Sequence, residues 1–276
     1  MPGTTPNSLV DRLCVIRGGG DLATGVAWRL TRAGVAVVVT ELPNPLTVRR
    51  TVALSTAVNE GTADIEGMVG KLAPTASEAA ELALSSDGKV VGVVVSPELP
   101  SFPFVVDVVV DARLAKRNID TSIDDAPLVI GLGPGFTAGV DCHATVESMR
   151  GPRLGRVLWA GSAEPDTGTP GIVGGRGAER VVRAQAEGHV RWVRAIGDLV
   201  DDHELLGTVG EVPVFAPFAG VVRGLIADGS DVTSGLKIGD IDPRLDVSAC
   251  HEISDKALAI GGGVVEAVIS WWRRSR

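Results

Sequence analysis

Short β-branched runs alternate with stretches of helical periodicity over the first half of this chain. The runs predict strands at residues 13–17, 35–40, 90–95, 105–110 and 128–132. The apolar spacing predicts helices at 23–33 and 77–84, the second capped by Ser77. Because strands that alternate with helices usually form parallel sheets, we predict an α/β fold with a Rossmann-like, doubly wound parallel sheet over residues 11–136.

The hydrophobic period changes after Gly135. Apolar and polar residues then alternate, with the apolar positions at Val140, Cys142, Ala144 and Val146. A turn at 149–152 leads into a further apolar run, an arrangement typical of a β-hairpin. These features predict a second, β-rich domain over residues 137–276.

Residues 182–241 contain an internal repeat with an offset of 32 residues, which pairs Gly188 with Gly220. Two short β units that cannot each bury a face alone are expected to pack together. The second copy resembles the biotinyl and lipoyl carrier domains, so we predict a duplicated barrel-sandwich hybrid unit. The joint at 208–213 holds no lysine, which argues against a swinging-arm carrier. A C-terminal helix over 254–272 completes the predicted domain.

Composition narrows the range of functions. The chain has 276 residues with 26 Lys and Arg against 34 Asp and Glu, so we expect neither nucleic acid nor a membrane as its partner. Three cysteines and four histidines lack the spacing of a disulfide framework or a zinc site, and no metal is expected. No apolar run is long enough to span a bilayer, and residues 1–13 lack the apolar core of a signal peptide. We therefore expect a cytoplasmic protein and allow for homo-oligomers.

A glycine-rich turn follows the first predicted strand and opens the first predicted helix. Its spacing, G-x-G-x-x-A from Gly18 to Ala23, matches the dinucleotide-binding fingerprint. Glu41 lies at the end of the next strand, where an acid binds a ribose hydroxyl in such folds. The predicted ligand-binding residues are Gly18, Gly19, Gly20, Asp21, Thr24, Glu41, Arg49 and Arg50. Tight packing of a helix on a sheet would require the same glycines, so a purely structural role stays open.

Arg49 and Arg50 are included because a helix starting near 44–45 would present them to phosphates. A solvated basic pair explains them equally well. A weaker candidate cluster lies at a strand end, the edge at which open α/β sheets bind ligands. Its members are Asp107, Asp111, Arg113, Lys116 and Arg117, and a solvated sheet edge is the alternative explanation.

Reactive thiol chemistry requires a thiolate beside a cation or a helix N-terminus. Cys250 is the best candidate, because His251 and the predicted helix start follow it. We therefore predict Cys250, Asp255 and Lys256 as a catalytic group in which the thiol carries sulfur or selenium. A cysteine that merely fills space in the core is the alternative.

Four stretches together resemble one family: VIRGGGDLATG at 15–25, GLGPGF at 131–136, KIGDIDPR at 237–244 and ISDKALAIGGG at 253–263. They are similar to the YqeB-type accessory proteins of selenium-dependent molybdenum hydroxylase systems. The resemblance implies a role in the maturation of molybdenum hydroxylases. It implies hydroxylase subunits or other maturation factors as partners, but no residue-level mechanism.

The expected function is an accessory protein that binds a phosphate-bearing ligand and assists sulfur or selenium insertion. The ligand would be molybdopterin or its dinucleotide form. An NAD(P)-dependent oxidoreductase is an alternative that rests on the glycine fingerprint and Glu41. A non-catalytic scaffold that docks hydroxylase subunits is a third, and the sequence alone does not decide whether the protein is an enzyme.

Overall fold

The computed structural model describes residues 12–168 and 171–274, which divide into two units. Of the described residues, the first unit holds 12–43, 53–166 and 253–274, and the second holds the remainder. The helices, all in the first unit, are α1 (Asp21–Arg32), α2 (Thr56–Glu60), α3 (Ala76–Leu84) and α4 (Asp255–Arg274). None of these helices has the length and apolar character needed to cross a bilayer.

A nine-stranded sheet forms the centre of the first unit. The strands of this unit are β1 (Leu13–Arg17), β2 (Ala36–Glu41), β3 (Thr62–Ile65), β4 (Met68–Ala73), β5 (Val90–Val95), β6 (Val106–Asp111), β7 (Leu128–Leu132), β8 (Thr137–Ala138), β9 (Ala144–Val146), β10 (Val157–Leu158) and β11 (Gly161–Ser162). The order in the large sheet is β10-β9-β7-β6-β1-β2-β5-β4-β3, and β8 pairs with β11 separately.

The central strands are buried on both faces. All five residues of β1 and of β7 are buried, as the continuous apolar runs in the sequence predict. The five strands predicted from β-branched runs are confirmed as β1, β2, β5, β6 and β7, with shifts of one residue in β2 and β6. The central strands of the sheet are therefore formed by apolar runs that can be identified in the sequence.

The second unit contains two four-stranded antiparallel sheets around an apolar cluster. Its strands are β12 (Val181–Arg183), β13 (Gly188–Trp192), β14 (Leu199–Val200), β15 (Leu205–Val209), β16 (Val212–Phe215), β17 (Gly220–Leu225), β18 (Asp231–Val232) and β19 (Lys237–Asp242). The sheet orders are β12-β19-β17-β14 and β16-β15-β13-β18. Three strands of the first copy, β13, β14 and β15, begin 32 residues before β17, β18 and β19, the offset of the sequence repeat.

The predicted arrangement, a Rossmann-like parallel sheet followed by a barrel-sandwich hybrid domain, is wrong. The large sheet is mixed, because β3 pairs antiparallel with β4 and β10 pairs antiparallel with β9. Strands β9 and β10 and helix α4 lie beyond residue 137, yet they belong to the first unit. The sheets do not indicate the two consecutive folds that we expected over 11–136 and 137–276. Period and turn signals describe local conformation, whereas sheet membership depends on pairing between strands that are distant in the sequence.

Three local predictions also need correction. The hairpin of β3 and β4 was not predicted, because its strands are short and only partly apolar. The expected helix near 44–45 is absent, and residues 44–52 form only a 3-10 turn, at Arg50–Val52. Thr75, not Ser77, caps α3, and its hydroxyl accepts a hydrogen bond from the backbone N–H of Glu78. Serine and threonine are both favoured at the N-cap, so the sequence alone does not distinguish Ser77 from Thr75.

The predicted C-terminal helix is confirmed as α4, and Gly261 explains how it packs against α1. Gly25 of α1 lies against Ala257 and Gly261 of α4, and a Cβ on Gly25 would come within 2.5 Å of the Ala257 carbonyl oxygen. A Cβ on Gly261 would likewise overlap the carbonyl oxygen of Gly25. The two helix backbones approach so closely that only glycine fits at these points.

Adjacent glycines of α4 provide a direct test of this contact. We expect Gly261→Ala to lower the free energy of unfolding by about 1–3 kcal/mol, because the added methyl group collides with the backbone of α1. Gly262→Ala is the matched control. Its Cβ would meet no atom within 4 Å, so alanine should stabilise the helix by up to about 1 kcal/mol. Urea denaturation of both variants measures the difference, and equal effects would contradict the close contact.

Candidate functional site

The candidate site lies at the carboxyl ends of the parallel strands in the first unit. The glycine turn 18–20 follows β1 and leads into α1. Strand β6 ends at Asp111, and β7 is followed by Gly133. Because neighbouring parallel strands end at the same edge of a sheet, these residues share one edge. This is the edge at which open α/β sheets bind ligands.

Two glycines of the turn are required by packing. Gly18 has φ +92°, and a Cβ there would come within 3.1 Å of the Arg113 backbone. A Cβ on Gly19 would lie 2.9 Å from the backbone nitrogen of Ser55, and the Gly19 carbonyl accepts a hydrogen bond from the same nitrogen at 2.8 Å. Gly18 and Gly19 therefore serve the structural role that the sequence left open.

Gly20 differs from its neighbours. It occupies the N-cap position of α1 in an extended conformation, and no side chain caps the helix there. A Cβ on Gly20 would meet no atom within 4 Å, so the first turn of α1 borders open space. Helix N-termini attract anions, because their N–H groups point outward and the helix dipole is positive there. An anion could therefore reach the N–H groups at the start of α1 beside Gly20.

Two residues predicted at the ligand bind the turn itself. The Glu41 carboxylate accepts hydrogen bonds from the backbone N–H groups of Gly19 and Leu42, both at 2.7 Å. Thr24 is fully buried, and its hydroxyl donates to the Gly20 carbonyl at 3.0 Å and accepts from the Leu54 N–H at 3.0 Å. Both side chains therefore fix the shape of the turn rather than face a ligand.

Asp21 and Lys256 are brought together at the starts of α1 and α4. Burial lowers the pKa of Lys256, and the charge of Arg150 acts in the same direction. The charges of Asp21, Glu147 and Asp255 oppose this effect. The Asp255 carboxylate also pairs with Arg150, at 2.6 Å. A half-buried ammonium group thus lies in the same charged cluster as the start of α1.

A network of polar side chains borders the turn. Its members are Arg17, Asp111, Arg113, Asp120 and Thr121. Arg17 is buried and donates to Thr121 at 2.8 Å and to Asp120 at 2.9 Å. Arg113 pairs with Asp111 at 2.5 Å and with Asp120 at 2.7 Å. Two guanidinium groups are thereby matched by two carboxylates.

Only Asp111 and Arg113 of this network were expected from the sequence, whereas Arg17, Asp120 and Thr121 were not. One signal was available, because Arg17 is the only charged residue in the apolar run 13–17. A charge in a strand that is otherwise fully buried must have partners, since an unpaired buried charge is costly.

The predicted catalytic group is divided between the units. Asp255 and Lys256 belong to the first unit, whereas Cys250 belongs to the second, in the short 3-10 helix Ser248–Cys250. Cys250 is buried, and its Sγ lies 3.7 Å from the Val222 carbonyl oxygen. Burial raises the pKa of the Cys250 thiol, although the charges of Arg223 and Arg49 partly oppose this. The cation near the thiol is therefore arginine, and the thiol is the favoured form.

Arg49 and Arg50 also belong to the second unit. Arg49 donates to the carbonyl oxygens of Ala249 and Glu252, at 3.0 and 3.1 Å. Arg50 donates to the Leu225 carbonyl oxygen at 2.8 Å. These contacts bind the segment 44–52 to the rest of its own unit.

A groove of about 770 Å³ lies elsewhere in the first unit, along α3 and β4. Its lining includes Lys71, Glu78 and Phe104, and it contains none of the predicted site residues. Lys71 and Glu78 are exposed and form no buried polar cluster. We therefore place the candidate site at the glycine turn, where buried charges converge. Among the described residues, no group of three or more His, Cys, Asp or Glu side chains is arranged to hold a metal ion.

Comparison with known proteins gives one strong sequence match. The chain is 45% identical over 259 residues to the uncharacterized protein YqeB of Escherichia coli (strain K12). The alignment covers 94% of this chain and 47% of that protein, so the chain spans about half the length of the curated relative it matches. No protein-family model matches the chain.

Structural likenesses are weak. An aspartoacylase family protein from Mesorhizobium loti is 11% identical, with a TM-score of 0.27 over 83% of this chain and 84% of that one. The ectoine utilization protein EutE (DoeB) from Ruegeria pomeroyi is 11% identical, with a TM-score of 0.24 over 84% of this chain and 85% of that one. TM-scores this low support no inference about fold or function.

The Arg17–Asp120 contact should make stability depend on pH. The hydrogen bond from Arg17 holds the pKa of Asp120 below its ordinary value. A depressed carboxyl pKa contributes stability above the unfolded pKa of about 3.9 and loses it as pH falls through the folded pKa. Asp120→Asn should therefore lower the free energy of unfolding by up to about 1 kcal/mol at pH 6, because Asp120 is partly exposed.

Urea denaturation at pH 3, 4, 5 and 6 measures this effect. The difference between the parent protein and Asp120→Asn should shrink below pH 4. Asp124→Asn, which changes an exposed carboxyl group nearby, is the control and should show no such dependence. A difference that grows toward low pH would contradict the assignment.

All three thiols should react slowly in the folded protein. Burial raises the pKa of Cys142 to about 11 and raises the pKa of both Cys14 and Cys250. We expect iodoacetamide at pH 8 to modify none of them rapidly in the folded chain and to modify all three in urea, as measured by mass spectrometry. Fast alkylation of Cys250 in the native state would reveal an accessible, activated thiol instead.

Proposed function

This chain belongs to the YqeB-type proteins, and from that premise we propose that it is an accessory protein that binds a phosphate-bearing ligand during the maturation of molybdenum hydroxylases. The ligand class is the molybdenum pterin cofactor or a nucleotide. The molybdenum part of the proposal rests on the motif resemblance described above. Hydroxylase subunits or other maturation factors are the proposed partners.

One observation carries the ligand-binding part of the proposal. The N-terminus of the 12-residue helix α1 has no side-chain cap and borders open space at Gly20. A phosphate there would accept hydrogen bonds from backbone N–H groups and gain from the helix dipole. Lys256 adds a cation close to this helix start and offsets the negative charge of Asp21.

The roles assigned to the residues differ from those expected at first. Gly20 and Lys256 contact the anion, while Gly18, Gly19, Thr24 and Glu41 hold the turn in shape. Cys250 is assigned no step, because its thiol is buried and its pKa is raised. Sulfur or selenium transfer therefore forms no part of the proposed reaction, and the function proposed is binding.

Substitution at Gly20 separates binding from stability. Aspartate is a favoured N-cap residue, and a side chain at this position meets no neighbour. Gly20→Asp should therefore leave stability unchanged or raise it by about a few tenths of a kcal/mol. Its carboxylate would occupy the position of the anion and repel any anion that approaches, so ligand binding should be lost. Lys256→Gln should weaken binding by about fivefold to tenfold.

Calorimetric titration with pyrophosphate, cytidine diphosphate and NADH measures these effects. Lys89→Gln, an exposed lysine before β5, is the control and should bind like the parent protein. Native mass spectrometry of the freshly purified chain would identify any ligand that remains bound. Unchanged binding in Gly20→Asp would contradict the proposed site.

The same titration addresses the two alternatives. Enhanced NADH fluorescence that Gly20→Asp abolishes would favour an NAD(P)-dependent oxidoreductase. If none of the three probes binds, the ligand proposal fails. Capture of hydroxylase subunits without any small molecule would then favour the scaffold.

A further inference from the structure

Charged side chains are buried on one face of the sheet β12-β19-β17-β14 in the second unit. Ile241 lies in the apolar cluster between the sheets, so Asp240 and Asp242, its neighbours on β19, face the other way. Arg223 of β17 follows the core residue Val222 and joins them. Both aspartates and Arg223 are more than nine-tenths buried.

Both carboxylates are already occupied by other arginines. Arg180, also buried, donates a short hydrogen bond to Asp240. Arg244 binds Asp242 through Nε at 2.9 Å and through Nη2 at 2.6 Å. These are strong, charge-assisted contacts, and together they satisfy the two acids.

Arg223 is left without a comparable partner. Its Nη1 lies 3.8 Å from Asp240 and its Nε lies 3.7 Å from Asp242, both beyond hydrogen-bonding distance. Among the described residues, the buried Nε has no hydrogen-bond partner. A buried guanidinium nitrogen without a hydrogen-bond partner is costly, because it has lost its hydration without replacement.

The surroundings of Arg223 are positive as well. Burial lowers the pKa of Arg223, the charge of Arg49 acts in the same direction, and so does that of Arg180. Asp240 and Asp242 oppose this effect. Cys250 is also close to Arg223, and its thiol is neutral because burial raises its pKa. Three guanidinium groups, those of Arg180, Arg223 and Arg244, therefore share two carboxylates, and positive charge is in excess.

We propose that the Arg223 cluster, formed by Arg180, Arg223, Asp240 and Asp242, is a binding site for a small oxyanion such as sulfate or phosphate. Arginine presents planar, paired donors that match two oxygens of such an anion. The ligand must be small, because every side chain of the cluster is buried. This site belongs to a different unit from the glycine turn and does not depend on the function proposed for it.

Sulfate binding to the full chain tests the proposal. The protein is purified in chloride buffer, and sulfate is titrated by calorimetry at constant ionic strength, with the thermal midpoint followed in parallel. We expect saturable binding and a rise in the midpoint. Arg223→Gln should weaken binding by at least about tenfold. Arg191→Gln removes an exposed arginine of the same unit and should leave both readouts unchanged.

Stability without sulfate separates a binding role from a structural one. If Arg223 only supports the fold, Arg223→Gln will lower the midpoint in chloride and leave the sulfate response intact, which would overturn the proposal. If it serves an anion, the midpoint in chloride will stay the same or rise. Arg223→Lys keeps the charge and should retain partial binding.

Two further results would also decide the question. No saturable sulfate binding by the parent protein would overturn the proposal without reference to any variant. Sulfate binding that Gly20→Asp abolishes would place the anion at the glycine turn and overturn it as well. Binding that survives Gly20→Asp but not Arg223→Gln would support it, whatever the outcome of the nucleotide titrations.

Discussion

The structure of the first unit depends on the direct backbone contact between its first and last helices. Gly25 and Gly261 allow α1 and α4 to approach so closely that a Cβ at either position would overlap a backbone carbonyl oxygen of the other helix. The contact lies within the first two turns of both helices, so the two helix starts are close to each other. The charged cluster around Lys256 at the start of α1 follows from it. The close packing at Gly25 and Gly261 thereby brings the charge of Lys256 near the start of α1.

Buried arginines have different partners in the two units. At the sheet edge of the first unit, Arg17 and Arg113 are matched by Asp111 and Asp120 with short hydrogen bonds. Around Arg223 the two carboxylates bind other arginines, and they lie 3.7 and 3.8 Å from the Arg223 guanidinium group, beyond hydrogen-bonding distance. A matched network rigidifies a site, whereas an unmatched buried charge indicates that something else supplies its counter-charge. This contrast is why we interpret the first as a structural frame and the second as a binding site.

The thiols show how burial limits the chemistry available to the chain. Cys250 has arginine charges nearby, which favour a thiolate, but desolvation dominates and its pKa is raised. The proximity of a cation in sequence or in space is therefore insufficient to activate a cysteine. The anion-binding features that we propose are a helix N-terminus and guanidinium groups, which need no change of protonation to act. Binding, rather than covalent transfer, fits what these residues offer.

The sequence by itself determined the central strands, the α4 helix, the glycine turn and the 32-residue repeat. These features depend on apolar period and on glycine, which act over a few neighbouring residues. Only the tertiary structure decided that β9, β10 and α4 join the first unit, and that Glu41 and Thr24 bind the turn instead of a ligand. It also assigned Cys250 and Lys256 to different units and brought Arg223 beside Asp240 and Asp242. Such outcomes depend on which distant segments pair and on which polar groups lose contact with water, and neither is encoded in local pattern.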